Sequence, residues 1–142
     1  MNSTIEKFGY PTTLIKEYEN WVVCLRPVQI TLGSLVLACK EDTEAFGSLS
    51  KVSISELGNV ITDIEHTLKS LFDYDKINYL MLMMLDPHVH FHVIPRFANA
   101  RAYEGTEFKD VDWPAPPDLL RKRDINADTL QSILNKIKDN WN

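Results

Sequence analysis

Three of the four histidines of this chain, His88, His90 and His92, alternate with apolar residues in the stretch DPHVHFHVIPRF, residues 86–97. Side chains two apart on a strand share a face. Neighbouring members of the run are then ~6.6 Å apart along the strand, from a rise of ~3.3 Å per residue. Two of them can share one zinc at ~2.0–2.1 Å. Three on a single ion require a bulge or strong coiling, and no Cys, His or acidic cluster elsewhere offers the missing ligands. A solvated sheet face is the blandest reading, and the opposite face of the same strand, Val89, Phe91 and Val93, is apolar. The third reading is nucleophilic catalysis. Neutral imidazole, with an ordinary pKa near 6.5, attacks phosphorus and leaves again, so a phosphoryl or nucleotidyl transfer splits into two easier steps. Flanking imidazoles set a tautomer and deliver a proton. His66, by contrast, is isolated on a helical segment and reads as structural or exposed.

The elements that must position this strand are legible in outline. LIKEYENWVVCLRP reads as two short strands meeting at Glu19-Asn20, the second ending before Pro27. GSLVLACK, residues 33–40, is a further strand. Ile54, Leu57, Val60, Ile61, Ile64, Leu68 and Leu71 recur at helical spacing, and Ser53 with Glu56 has the capping-box spacing, which predicts a helix over 54–72. KINYLMLMML, residues 76–85, is apolar and of strand length. With Asp86-Pro87 as a tight turn, it predicts a hairpin with the histidine strand at the centre of the sheet, its methionines packed in the core. Residues 98–125 are polar and proline-broken. A final amphipathic helix over 127–141 follows the cap residue Asn126. This order predicts an α+β domain with an antiparallel sheet.

The 142 residues fit one domain, 1–142, with 44% hydrophobic and 25% charged residues. The formal net charge is −5. No basic stripe argues for nucleic acid, and no apolar run is long enough to span a membrane. The first residues, MNSTIEKFGYP, lack the basic and apolar regions of a signal peptide. Cys24 and Cys39 lie in apolar strands, and a reduced pair in a cytoplasmic protein is expected.

His88-Val89-His90-Phe91-His92-Val93-Ile94 resembles the signature of the histidine-triad (HIT) superfamily, His-φ-His-φ-His-φ-φ with φ apolar, and Pro95-Arg96 resembles its common ending. The order of elements over about 14–97 is similar too, and FKDVDWPAPP is similar to a Trp-Pro segment of some bacterial members. The loop and helix over about 98–142 complete the domain. The resemblance implies a HIT-like fold: a five-stranded antiparallel sheet with one long helix and a C-terminal helix, the sheet extended across a homodimer. It implies a nucleotide phosphohydrolase or nucleotidyltransferase acting on phosphoanhydride or phosphoramidate bonds, with no cofactor. His90 would be the nucleophile that forms a covalent nucleotidyl-histidine, flanked by His88 and His92. The partners implied are a nucleotide or another phosphorylated small molecule and a second copy of the chain.

The chain departs from the family around that core. Ser34 stands where many members have a histidine that supports the triad. Arg26 stands near a family Asp or Asn that meets the ribose, and a guanidinium only donates. Met83-Met84-Leu85-Asp86-Pro87 replaces a Gly-rich turn carrying phosphate contacts. Arg26 and Arg96 are therefore candidate anion contacts, with Ser34 and Asn78 as further substrate-binding candidates and Trp113 as a pocket cap or packing residue. The alternative from another class is a non-catalytic nucleotide- or phosphometabolite-binding protein; a metal-dependent hydrolase is third.

Overall fold

The computed structural model describes residues 1–141. A short helix α1, Ser3–Lys7, precedes the strands β1, Leu14–Glu17, β2, Trp21–Leu25, and β3, Leu35–Cys39. The long helix α2, Lys51–Phe72, leads to β4, Lys76–Leu80, and β5, His90–Arg96. A two-stranded ribbon of β6, Arg101–Tyr103, and β7, Thr106–Phe108, and the helix α3, Ala127–Asp139, complete the chain. The first five strands form one antiparallel sheet in the order β1-β2-β3-β5-β4.

Helix α2 begins one turn earlier than its apolar period indicates. Ser50, not Ser53, is the N-cap, its side chain accepting from the Ser53 amide. The Ser53 hydroxyl instead donates to Glu41, and its carbonyl accepts from the Trp21 indole at 2.8 Å. Leu57, Val60, Ile64 and Leu68 recur at steps of three and four and are buried against the sheet. Complete burial of such a side chain stabilises by about 1.5–3 kcal/mol. Gly33 turns the chain into β3 at φ 87°, where a Cβ would meet the Phe72 ring at 3.0 Å. A side chain there would be strained by the backbone and crowded by α2.

The sheet has two different faces. Trp21, Val23, Leu25, Leu35, Leu37, Cys39 and Val93 form the main core with α2 and α3. Val22, Cys24, Val36 and Ala38 face the other way, under Ile5 and Phe8 from the N-terminal segment. Cys24 and Cys39 are free and lie on opposite faces.

The predicted β4–β5 hairpin forms, but β4 is an edge strand and ends at Leu80. β3 is buried along its whole length and takes the central place, while β4 is only partly covered. Past Leu80 the apolar run leaves the sheet. Met81 packs on the core, whereas Leu82, Met84 and Leu85 are 51, 83 and 90% exposed, which corrects the expectation of a core methionine stripe. No helix among the described residues is long and apolar enough to cross a membrane.

Candidate active site

Alternation along β5 places His90, His92 and Ile94 on the face opposite the main core, and His88 leads into the strand on the same side. His90 pairs across the sheet with Ala38, and His92 sits between Val36 and Leu80. The His90 and His92 rings stand edge-on, 5.2 Å between centroids.

His90 is completely buried. Its Nδ1 lies 2.7 Å from the carbonyl oxygen of His88. A carbonyl has no hydrogen to give, so Nδ1 carries the proton. In the neutral ring Nε2 then presents a lone pair, and Nε2 is buried without a hydrogen-bond partner. An orphaned buried acceptor loses its hydration for no return. A ring nitrogen so placed can accept a hydrogen bond or attack an electrophile.

His88 is fixed at three atoms. Its Nε2 is 2.7 Å from the Asp42 carboxylate, so Nε2 donates. Nδ1 then accepts from the Thr4 hydroxyl at 2.9 Å, whose oxygen in turn accepts the His88 amide at 3.2 Å. These bonds set the carbonyl that orients His90. His92 Nδ1 receives the Arg26 Nε at 3.4 Å, leaving Nε2 as its protonated nitrogen. Burial first, then the charge of Arg26 and then His90 push the His92 pKa down to about 4.

This shift has a sign that can be tested. Between about pH 6.5 and 4 the unfolded chain binds a proton at His92 that the folded protein refuses, so stability falls as the pH drops through that window. Below about 4 both states are protonated and the slope from this group ends. The limiting slope for one such group is about 1.4 kcal/mol per pH unit. His92→Gln is expected to flatten the dependence, read by urea unfolding between pH 4.5 and 7; an unchanged slope would remove His92 as its source.

Helix α1 closes this face. The Phe8 ring lies 5.4 Å from that of His90 and 5.7 Å from that of His92. Ile5 is buried on the sheet beside them. Asn2 caps the helix through the Ile5 amide and donates to the carbonyls of Cys39 and Glu41 at 2.9 and 3.2 Å. Lys7 pairs with Asp86 at 2.5 Å. The sequence reading missed Thr4, Phe8 and Asp42. A five-residue helix is too short for periodicity to reveal, and its partners lie 84 residues away in the case of Thr4 and His88. Phe8→Ala is expected to raise the rate at which an acylating reagent modifies His90 several-fold. An unchanged rate, followed by peptide mass mapping, would show that Phe8 does not limit access.

The remaining sequence candidates fall in different places. Arg26 reaches the triad through His92. Ser34 is fully buried and closes the 26–34 loop: its hydroxyl donates to the Thr31 carbonyl at 2.8 Å and its carbonyl accepts the Arg26 amide at 3.0 Å. Arg96 is buried under the loop that follows β7. It makes a two-pronged pair with Asp110, at 2.7 and 3.2 Å, and donates to Asn78 at 2.8 Å and to the Ala115 carbonyl at 2.6 Å. Four of its five N–H groups are thereby engaged. Asn78 and Trp113 do not touch the histidines. They line a groove of about 800 Å³ along the free edge of β4, together with residues 114–117. This is the largest of the surface cavities described, and it lies apart from the triad, which Phe8 seals.

No three or more His, Cys, Asp or Glu among the described residues are grouped to hold a metal.

The sheet order and the strand of three histidines match the fold of solved histidine-triad proteins. A histidine triad protein of Bradyrhizobium japonicum superimposes with a TM-score of 0.76 at 20% identity, over 99% of this chain and 96% of that one. A HIT protein of Sinorhizobium meliloti gives 0.77 at 18% identity, over 99% and 96%. A histidine triad nucleotide-binding protein of Sulfolobus tokodaii gives 0.64 at 17% identity, over 90% and 82%. No family model and no curated protein matches the sequence. The chain has the histidine-triad fold.

Proposed function

We propose that this chain binds a nucleotide or another phosphorylated small molecule and cleaves or transfers it at the α-phosphate through His90. The observation that carries the reading is the His90 ring, its Nδ1 proton given to the His88 carbonyl and its buried Nε2 bare. Nε2 attacks phosphorus, and the bond to the leaving group breaks, giving a nucleotidyl-histidine. The Nδ1–H bond to the carbonyl stabilises the positive charge that the ring acquires. His92 Nε2–H donates toward the phosphoryl group or the departing atom. Water or an acceptor then attacks the same phosphorus and frees His90. His88 acts through its carbonyl, and Asp42 and Thr4 hold it there. In this reading Asn78 and Arg96 serve the site by anchoring the 110–117 loop, and Ser34 by bracing Arg26.

Phosphoramidates, dinucleoside polyphosphates and nucleotide sugars are the panel to test, with release of a nucleoside monophosphate followed by ³¹P NMR. Turnover supports the reading; binding without turnover across the panel overturns it. The sealed face of His90 favours the second reading, a binding module in which the histidines hold phosphate and no bond is broken.

A homodimer belongs to the same proposal. The free edge of β4, the groove beside it and the exposed Leu82, Met84 and Leu85 at its end offer a strand and apolar surface to a second copy. Antiparallel pairing of two β4 strands would join the sheets. Sedimentation in dilute solution is expected to show a dimer, and Asn78→Pro on this edge to weaken it; a monomeric wild type would remove this part of the account.

A further inference from the structure

Arg26 is a charged group without a counter-ion. It follows β2 on the histidine face and is half-buried, and burial lowers its pKa with no carboxylate to offset the loss. Among the described residues no acidic side chain forms an ion pair with it, whereas Arg96 has Asp110 and Arg121 has Asp112. Its guanidinium donates to two backbone carbonyls, Val28 at 2.8 Å and Leu119 at 2.9 Å, and to the His92 ring at 3.4 Å. These are neutral acceptors. They take three of five N–H groups and leave two.

The scaffold around Arg26 is built to hold it there. Its amide donates to the Ser34 carbonyl at 3.0 Å, and the Gln29 side-chain amide ties its carbonyl and that of Ser34, each at 2.7 Å. Gln29 and Ser34 are both fully buried. A half-buried cation held by this loop, with donors to spare and no ion-pair partner among the described residues, is set for an anionic ligand. The His92 ring bridges the two groups, touching the His90 ring on one side and Arg26 on the other.

We infer that Arg26 is a specificity-determining residue: it receives a second anionic group of the substrate, a phosphate or carboxylate beside the phosphorus that His90 attacks, and it positions His92 with its proton on Nε2. This rests on the function proposed above and narrows its substrate class. A substrate presenting only neutral hydroxyls to Arg26 offers a weaker acceptor and leaves the charge uncompensated. A substrate with the additional anion compensates it. No bond to Arg26 forms or breaks; it acts by charge, by hydrogen bonding and through the His92 ring.

Two experiments separate this inference from the proposed reaction. The first needs no turnover. Titration of wild type, Arg26→Met and Arg26→Lys with inorganic phosphate and with pyrophosphate, followed by NMR, is expected to show wild-type preference for pyrophosphate of roughly tenfold or more, the worth of one charge-assisted hydrogen bond. The preference disappears in Arg26→Met and is largely kept in Arg26→Lys. In the same samples, ¹⁵N shifts of His92 are expected to show Nε2 protonated in wild type and a mixture of tautomers in Arg26→Met. Equal binding of the two anions by wild type, or a preference and a tautomer that survive Arg26→Met, would overturn the inference. The second compares a plain nucleoside 5′-phosphoramidate with analogues carrying an extra phosphate or carboxylate, on the sugar or on the leaving amine. The expected result is a higher kcat/KM for an anionic analogue, lost in Arg26→Met. Turnover of the whole series without discrimination would refute the inference while leaving the reaction standing. An inert wild type that still prefers pyrophosphate would refute the reaction and leave the anion site standing.

Discussion

Replacing His90 with alanine is expected to lower kcat by on the order of 10⁴-fold or more, the scale on which loss of a covalent nucleophile falls, while the protein stays folded. The size follows from what the ring does. Its Nε2 is the bare ring nitrogen, and the ring is held through Nδ1 by the His88 carbonyl. Asparagine at 90 can restore a hydrogen bond to the His88 carbonyl but not a nucleophile, so it should be as inactive as alanine. Both variants remove a buried acceptor that has no partner in the free protein, but alanine also gives up the Nδ1–H bond to the His88 carbonyl, worth about 1 kcal/mol, so asparagine is expected to be the more stable of the two. Steady-state turnover, with circular dichroism and sedimentation as controls for folding, checks the prediction. Comparable activity in His90→Ala would place the chemistry elsewhere.

The largest expected effect on stability lies at Asp110. Its side chain is 1% and that of Arg96 4% exposed, and the carboxylate also accepts the Phe97 amide at 3.1 Å. Asp110→Ala leaves a buried guanidinium and a buried amide without their acceptor. Breaking one partner of a buried pair costs about 3–5 kcal/mol. The 110–117 loop is bound to the same guanidinium through Ala115, so its attachment to the sheet weakens too. Pairing Asp110→Leu with Arg96→Met removes both charges, and that double variant is expected to recover part of the loss. Urea unfolding of the three proteins decides it: a single variant as stable as wild type would show that the pair is dispensable.

The elements that carry the histidines were legible because each has a long period or a clear boundary. Seven apolar positions at helical spacing announce α2, the alternation of 88–94 announces β5, and Asn126 accepts from the Thr129 amide as its cap position predicts. The misjudged stretches lack such signals. Residues 81–85 are apolar but unpaired, and composition alone does not distinguish a strand from an exposed apolar segment. The β6–β7 ribbon turns through Glu104-Gly105, both at positive φ, 48° and 80°. The glycine marks that turn, but glutamate is an uncommon first residue for it, so the region reads as loop.

Within the site, the face shared by His88, His90 and His92 follows from strand geometry. The groups that tune them do not, because they come from distant parts of the chain. Asp42 lies after β3, Thr4 on α1, Phe8 at its C-cap, and Arg26 after β2. The two arginines that look alike in sequence differ in what surrounds them: Arg96 is neutralised by Asp110, fourteen residues on, and Arg26 has no acidic partner among the described residues. Only folding separates a cation paired with a carboxylate from one that meets neutral acceptors alone.

The central claim is that His90 forms a covalent bond to phosphorus. Intact mass spectrometry after brief mixing with the phosphoramidate, polyphosphate and nucleotide-sugar panel, quenched without acid, tests it most directly. The account predicts an added nucleotidyl mass on the wild-type protein, mapped to His90 and missing from His90→Ala. Turnover with no adduct on the wild type at any mixing time, or an adduct of the same mass that persists in His90→Ala, would contradict it.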